Sequence, residues 1–148
     1  MQVIKTALLS FGMSGKVFHA PFINLHKGFQ LVGAWERSKQ NIQQIYPGTI
    51  SYPTLEKLLA DDEIKLVVVN TPNNTHYSYT KAALLAGKHV IVEKAFTTTV
   101  AEAVELKLVA EKTGRKISVF QSRRWTSEFR TAQKIVQENA SVRFRQKR

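Results

Sequence analysis

The chain has 148 residues, 43% of them hydrophobic, with no cysteine and a net charge of +11. This length supports one well-buried core rather than two, the lack of thiols excludes a disulfide framework or a thiolate metal site, and no apolar run reaches membrane-spanning length. The charge is uneven: residues 1–114 hold 12 basic and 9 acidic side chains, whereas residues 115–148 hold 10 and 2. An Arg-rich end can act as a nucleic-acid arm. Residues 141–148, however, show no recognisable binding motif and too few aromatics to stack bases, so nucleic acid is disfavoured as a partner. The opening lacks a signal-peptide pattern, its apolar run being short and leading into a glycine turn, so a cytoplasmic protein is expected.

In chain order, the run from Val3 ends in small residues and then turns helical, which reads as a buried strand, a tight turn and a helix from about Gly15 to Lys27. Phe29–Trp35 reads as a second buried strand, followed by a short helix toward Tyr46, a turn at Pro47-Gly48 and a short strand over Ile50–Tyr52. Thr54 caps the next helix. Lys65–Asn70 is a β-branched strand, broken by Thr71–Thr75. A helix over His76–Leu85 closes at Gly87, and His89–Val92 is a strand with Glu93 and Lys94 at its carboxyl end. An amphipathic helix spans roughly Thr99–Thr113 and stops at Gly114. Ile117–Phe120 is the last strand, and a helix from about Ser127 carries Phe129, Ala132, Ile135 and Val136 on one face. Strands alternating with helices imply an α/β domain, a doubly wound parallel sheet of the Rossmann type, over residues 1–138.

Ligands of such sheets bind at the carboxyl ends of the strands. Ser10, Gly12 and Gly15 occupy the three places of a G-x-G-x-x-G dinucleotide fingerprint, with serine at the first, and Met13 and Ser14 complete the turn. Small residues there allow a pyrophosphate to approach backbone N–H groups closely. Glu36 lies 21 positions beyond Gly15, near the spacing of a ribose-binding carboxylate, which favours NAD. Arg37, Ser38 and Lys39 can bind a 2′-phosphate, which favours NADP. The cofactor is therefore NAD or NADP, with the balance toward NADP.

Ala86–Lys94, A-G-K-H-V-I-V-E-K, following Asn70–His76, N-T-P-N-N-T-H, resembles the nucleotide-binding half of the glucose-fructose oxidoreductase, inositol dehydrogenase and rhizopine catabolism (Gfo/Idh/MocA) family. The resemblance extends over about residues 3–138, with F-H-A-P-F at Phe18–Phe22 and S-R-R-W at Ser122–Trp125. It implies hydride transfer between a nicotinamide and a hydroxyl-bearing carbon of a sugar or polyol. It also implies that Lys94 orients the reacting hydroxyl and moves its proton, a role that partial burial would favour. Glu93 then meets a cofactor ribose, Thr71, Pro72, Asn74 and His76 run along the cofactor, and Arg124 with Trp125 closes over its nicotinamide end. Read without the resemblance, Lys94 is a solvated strand-end charge, His76 a helix-start residue, Asn74 a cap, Trp125 core, Arg123 a surface charge or a domain-junction partner, and His19 a core-edge histidine.

Three departures bear on the expectations. Ser10 replaces the opening glycine. Ala95 stands where the family has proline, so a trans Lys94-Ala95 bond is expected. The residues past Gln137 do not read as the start of the family's C-terminal α/β domain, so that domain is expected to be missing here, and residues 139–148 read as a basic tail. The chain alone is then expected to bind cofactor without turning over substrate, either as half of an oxidoreductase or as a nucleotide-binding module or partner subunit. The apolar face of the last helix is a candidate homodimer surface.

Overall fold

The computed structural model describes residues 2–36 and 39–138. Arg37, Ser38 and the basic segment 139–148 lie outside the described residues. Six strands, β1 (Ile4–Leu8), β2 (Phe29–Trp35), β3 (Ile50–Tyr52), β4 (Leu66–Val69), β5 (His89–Val92) and β6 (Ile117–Val119), form one sheet in the order β3-β2-β1-β4-β5-β6. All neighbouring pairs are parallel, so each connection crosses over the sheet. The helices are α1 (Ala20–Leu25), α2 (Asn41–Ile45), α3 (Leu55–Leu59), α4 (His76–Leu85), α5 (Val100–Thr113) and α6 (Ser127–Gln137).

The sheet is buried on both faces because its central strands are continuous apolar runs, and alternate side chains feed opposite cores. Ala7, Val67, Val69, Val90 and Val92 meet Leu58 of α3, Leu84 of α4 and Leu106 of α5 on one face. Leu8 and Val68 meet Ala20 of α1 and Ile42 of α2 on the other. Each fully buried Val, Leu or Ile among them is worth about 1.5–3 kcal/mol relative to exposure, which makes this pattern the main determinant of the architecture. Among the described residues no helix is long and apolar enough to cross a membrane.

Helix ends follow local chemistry. Thr54 Oγ1 accepts from the Lys57 amide at 3.3 Å, as expected. Thr99 and Glu102 form a reciprocal capping box at the start of α5, and Gly114 ends that helix at φ 67°. The first helix differs from expectation. Helical conformation covers 13–25, with a π-helical turn over Gly15–His19 before α1. Pro21 explains the break: it has no N–H for the next rung, and the Ala20 N–H reaches back to the Gly15 carbonyl instead. Helix α6 packs on the 3-10 turn Ser122–Trp125, and none of its residues is buried.

Candidate functional site

The turn after β1 is held from β4. Asn70, buried at the end of that strand, accepts from the Ser10 amide through Oδ1 at 3.1 Å and donates from Nδ2 to the Ser10 carbonyl at 2.8 Å. Ser10 Oγ in turn accepts from the Gly12 amide at 3.2 Å. A Cβ on Gly15 would lie 2.5 Å from the Ser10 carbonyl oxygen, so only glycine lets the helical run pass this close to the strand end. Gly12 and Met13 are exposed at the mouth of the turn.

At the end of β2 the carboxylate of Glu36 turns toward α2. It accepts from the amides of Asn41 at 3.3 Å and Ile42 at 3.0 Å and from Ser51 Oγ at 3.2 Å, and so caps a short helix and ties it to β3. Glu36 also borders a cavity of about 550 Å³ with Gly12, Lys16, Lys39, Thr71 and Pro72. Trp35 and Tyr79, in edge-on contact at 5.5 Å between ring centres, form an aromatic wall of the same cavity.

The carboxyl end of β5 carries a second cluster. Glu93 Oε1 accepts from Ser14 Oγ at 3.0 Å and from His19 Nε2 at 3.0 Å, while Oε2 accepts from the Lys94 amide at 3.2 Å. Burial pulls the His19 ring below its ordinary 6.5, outweighing the opposing hydrogen bond and charge of Glu93. Burial works the other way on Glu93, but the bonds from His19, Ser14 and the Lys94 amide prevail and hold its carboxyl below the usual range. The neutral ring must therefore donate from Nε2, since an ionised carboxylate only accepts. Lys94 itself is exposed, so the partial burial that would favour a proton-transfer role is not found.

His76 is fully buried, with Nδ1 2.6 Å from the Ala95 carbonyl and Nε2 2.9 Å from the Thr71 carbonyl. His76 is the first residue of α4, as its helix-start reading has it, and with no exposed surface its ring faces the two loops it joins. The Lys94-Ala95 peptide bond is cis, contrary to the trans expectation, and its residues enter the loop whose Ala95 carbonyl His76 holds. Asn74 is not the cap of α4: it is exposed in a 3-10 turn over Asn73–Thr75, and Thr75 occupies the cap position. Thr71 Oγ1 meets Thr75 Oγ1 at 2.7 Å, and Pro72 is exposed beside them. Arg124 is exposed, and Trp125, at 74% exposure, is not core.

Across the sheet these groups form a row: Glu36 after β2, Ser10 to Gly15 after β1, Thr71 to Thr75 after β4, Glu93 and Lys94 after β5, and Arg124 and Trp125 after β6. In doubly wound sheets ligands bind at this edge, outside the carboxyl ends of the strands. The family described as an oxidoreductase family with an NAD-binding Rossmann fold, Gfo/Idh/MocA, matches residues 4–121. The chain belongs to this family.

Among Gfo/Idh/MocA proteins, an uncharacterised oxidoreductase of Schizosaccharomyces pombe is 43% identical over 93% of this chain and 39% of its own length. A Bacillus subtilis protein named scyllo-inositol 2-dehydrogenase (NADP(+)) is 34% identical over 95% of the chain and 39% of its own length. A crystal structure of a protein from Bacteroides fragilis superposes with a TM-score of 0.86 at 47% identity, covering 94% of this chain and 43% of that one. The chain thus spans about two fifths of these relatives. Sequence reasoning missed Asn70, Tyr79 and Lys16 as site neighbours. The signals available for Asn70 were its place at the head of the N-T-P-N-N-T-H run and its polar side chain closing the valines of β4.

Proposed function

We propose that the chain binds NADP along the carboxyl ends of its strands and serves hydride transfer between the nicotinamide and a hydroxyl-bearing carbon of a sugar or polyol. The observation that carries the choice of NADP is the orientation of Glu36. Its carboxylate is engaged by two helix amides and a serine hydroxyl, while the ammonium-bearing Lys39 and Lys16 border the same cavity. A ribose 2′-OH finds only the Oε1 side of that carboxylate open and competes there with the Asn41 amide, whereas a 2′-phosphate meets the two lysines. The relative named as an NADP(+)-dependent scyllo-inositol dehydrogenase supports both the cofactor and a polyol substrate.

The residues fit the cofactor. The glycine turn leaves backbone exposed for a pyrophosphate, and the 550 Å³ cavity with its Trp35 and Tyr79 wall has the size and lining of a small-molecule site. When bound, the nicotinamide accepts or returns the hydride. Ser10, Gly12, Met13, Ser14 and Gly15 form the pyrophosphate turn, and Arg37 and Ser38 join Lys39 at the 2′-phosphate. Thr71, Pro72 and Asn74 follow the cofactor, with His76 fixing their loop from beneath. Glu93 receives a ribose hydroxyl, Lys94 holds the reacting hydroxyl and exchanges its proton, and Arg124 and Trp125 close the nicotinamide end.

A fluorescence titration of the chain with NADPH and NADH in parallel tests this reading. The expected result is saturable binding with NADPH favoured by about tenfold or more. Equal affinities or a preference for NADH would overturn the choice of cofactor, and binding of neither would overturn the dinucleotide reading.

A further inference from the structure

We propose that His19 is a positioning residue for the nicotinamide half of the site, holding the Glu93 carboxylate, and through it the Lys94 turn, from the first helical run. The inference rests on the dinucleotide reading above. Three segments converge on this point. His19 comes from the π-helical turn after β1, Glu93 from the end of β5, and Phe120, whose ring lies 4.5 Å from the imidazole, from the end of β6. His19 and Glu93 are 4% and 14% exposed as side chains, so the carboxylate depends on protein donors rather than on water.

The division of those donors suggests a purpose. Ser14 and His19 both occupy Oε1, and only the Lys94 amide is on Oε2. A carboxylate has about four acceptor sites, so the Oε2 side keeps capacity for a ligand hydroxyl while Oε1 is saturated. The ring is itself clamped against Phe120, and its one contact with Glu93 transmits that rigidity to the residue preceding Lys94. A histidine serving only to fill space would not need a nitrogen directed at a carboxylate. Because β5 and β2 are separated in the sheet by β1 and β4, loss of this support should affect one end of the ligand and spare the other.

The test is the binding of two probes, NADPH and adenosine 2′,5′-bisphosphate, to the full chain and to its His19→Ala and His19→Gln variants. The bisphosphate lacks the nicotinamide half. His19→Ala should weaken NADPH about tenfold, the scale of one charge-assisted hydrogen bond, and leave the bisphosphate within about twofold. His19→Gln, whose amide nitrogen occupies the place of Nε2, should recover most of the loss. Weakening of both probes alike, of neither, or equal weakening by Ala and Gln would overturn the inference while the dinucleotide reading stands. A wild-type chain that binds neither probe would overturn both. Should His19→Ala fail to melt cooperatively, His19→Asn replaces it in the comparison. Its shorter side chain does not reach Glu93, so NADPH affinity equal to that of His19→Gln would overturn the proposal.

Discussion

Asn70 grips Ser10 at both ends, its Oδ1 on the Ser10 amide at 3.1 Å and its Nδ2 on the Ser10 carbonyl at 2.8 Å. Serine is therefore tolerated at the first fingerprint position: the turn is shaped from β4, and the Ser10 hydroxyl adds a bond to the Gly12 amide. Asn70→Ala leaves two backbone groups without partners in a nearly buried place. The expected cost is about 2–4 kcal/mol, read as a lower midpoint in chemical denaturation, together with weaker NADPH binding. Asn70→Asp should cost as much, because it sets a carboxylate oxygen against the Ser10 carbonyl. A stability unchanged in both variants would contradict the role given to Asn70.

Gly15 and Gly12 should separate sharply under the same substitution. A Cβ on Gly15 would stand 2.5 Å from backbone oxygen and 3.1 Å from Asn70 Nδ2, whereas one on Gly12 would find only Ser10 Oγ at 3.5 Å. Gly15→Ala is expected to lose about 1–3 kcal/mol through forced backbone movement, and Gly12→Ala to fold with near-normal stability. Thermal melts of the two variants side by side check this, and equal losses would refute the close-packing argument.

The sheet was legible because its signal is local. Phe29–Trp35 and His89–Val92 are strands over the bounds their apolar runs predict, and Thr54, Thr99 and Gly114 end helices by chemistry carried in a few adjacent residues. The site was legible as a set of strand ends and less so as a set of contacts. The direction of Glu36 depends on α2 amides five and six residues ahead, and the burial of His76 depends on carbonyls in two separate loops. No periodicity records either. His19 read as a core-edge histidine because nothing in its own segment announces a carboxylate 74 residues away.

The stability of the fold should decline with acid in two stages. Burial, the largest effect, lowers His19 below 6.5, and burial also lowers His89, aided by Arg115 and Lys116. The unfolded chain then takes up protons as pH falls through 6.5 while the folded rings resist, so their contribution is complete above that pH and lost below it. Glu93, held below its ordinary 4.5 in the fold, contributes above that value and loses its share as pH falls through its lowered folded value. The melting temperature is expected to be flat from about pH 7 to 8.5, to fall below 6.5 and to fall again below 4.5. His19→Gln should shrink the first decline and leave the second. A melting temperature that rises between neutral pH and about pH 5.5 would reverse the sign of this account.

Cofactor preference gives the sharpest test of Glu36. A carboxylate that caps α2 and bonds Ser51 contributes to stability, so Glu36→Gln should lose about 0.5–2 kcal/mol, as other lost N-terminal caps do. The ratio of NADPH to NADH affinity should stay within about twofold, because neither ligand uses that carboxylate. Lys39→Ala should behave in the opposite way, keeping the melting temperature, since the side chain is exposed, and weakening NADPH about three- to tenfold with NADH unchanged. If Glu36→Gln instead weakened NADH alone, the carboxylate would be a ribose ligand, and the stability cost would then have to come from elsewhere. The two variants measured against both nucleotides separate a cap from a ligand, because only a ligand changes one affinity without the other.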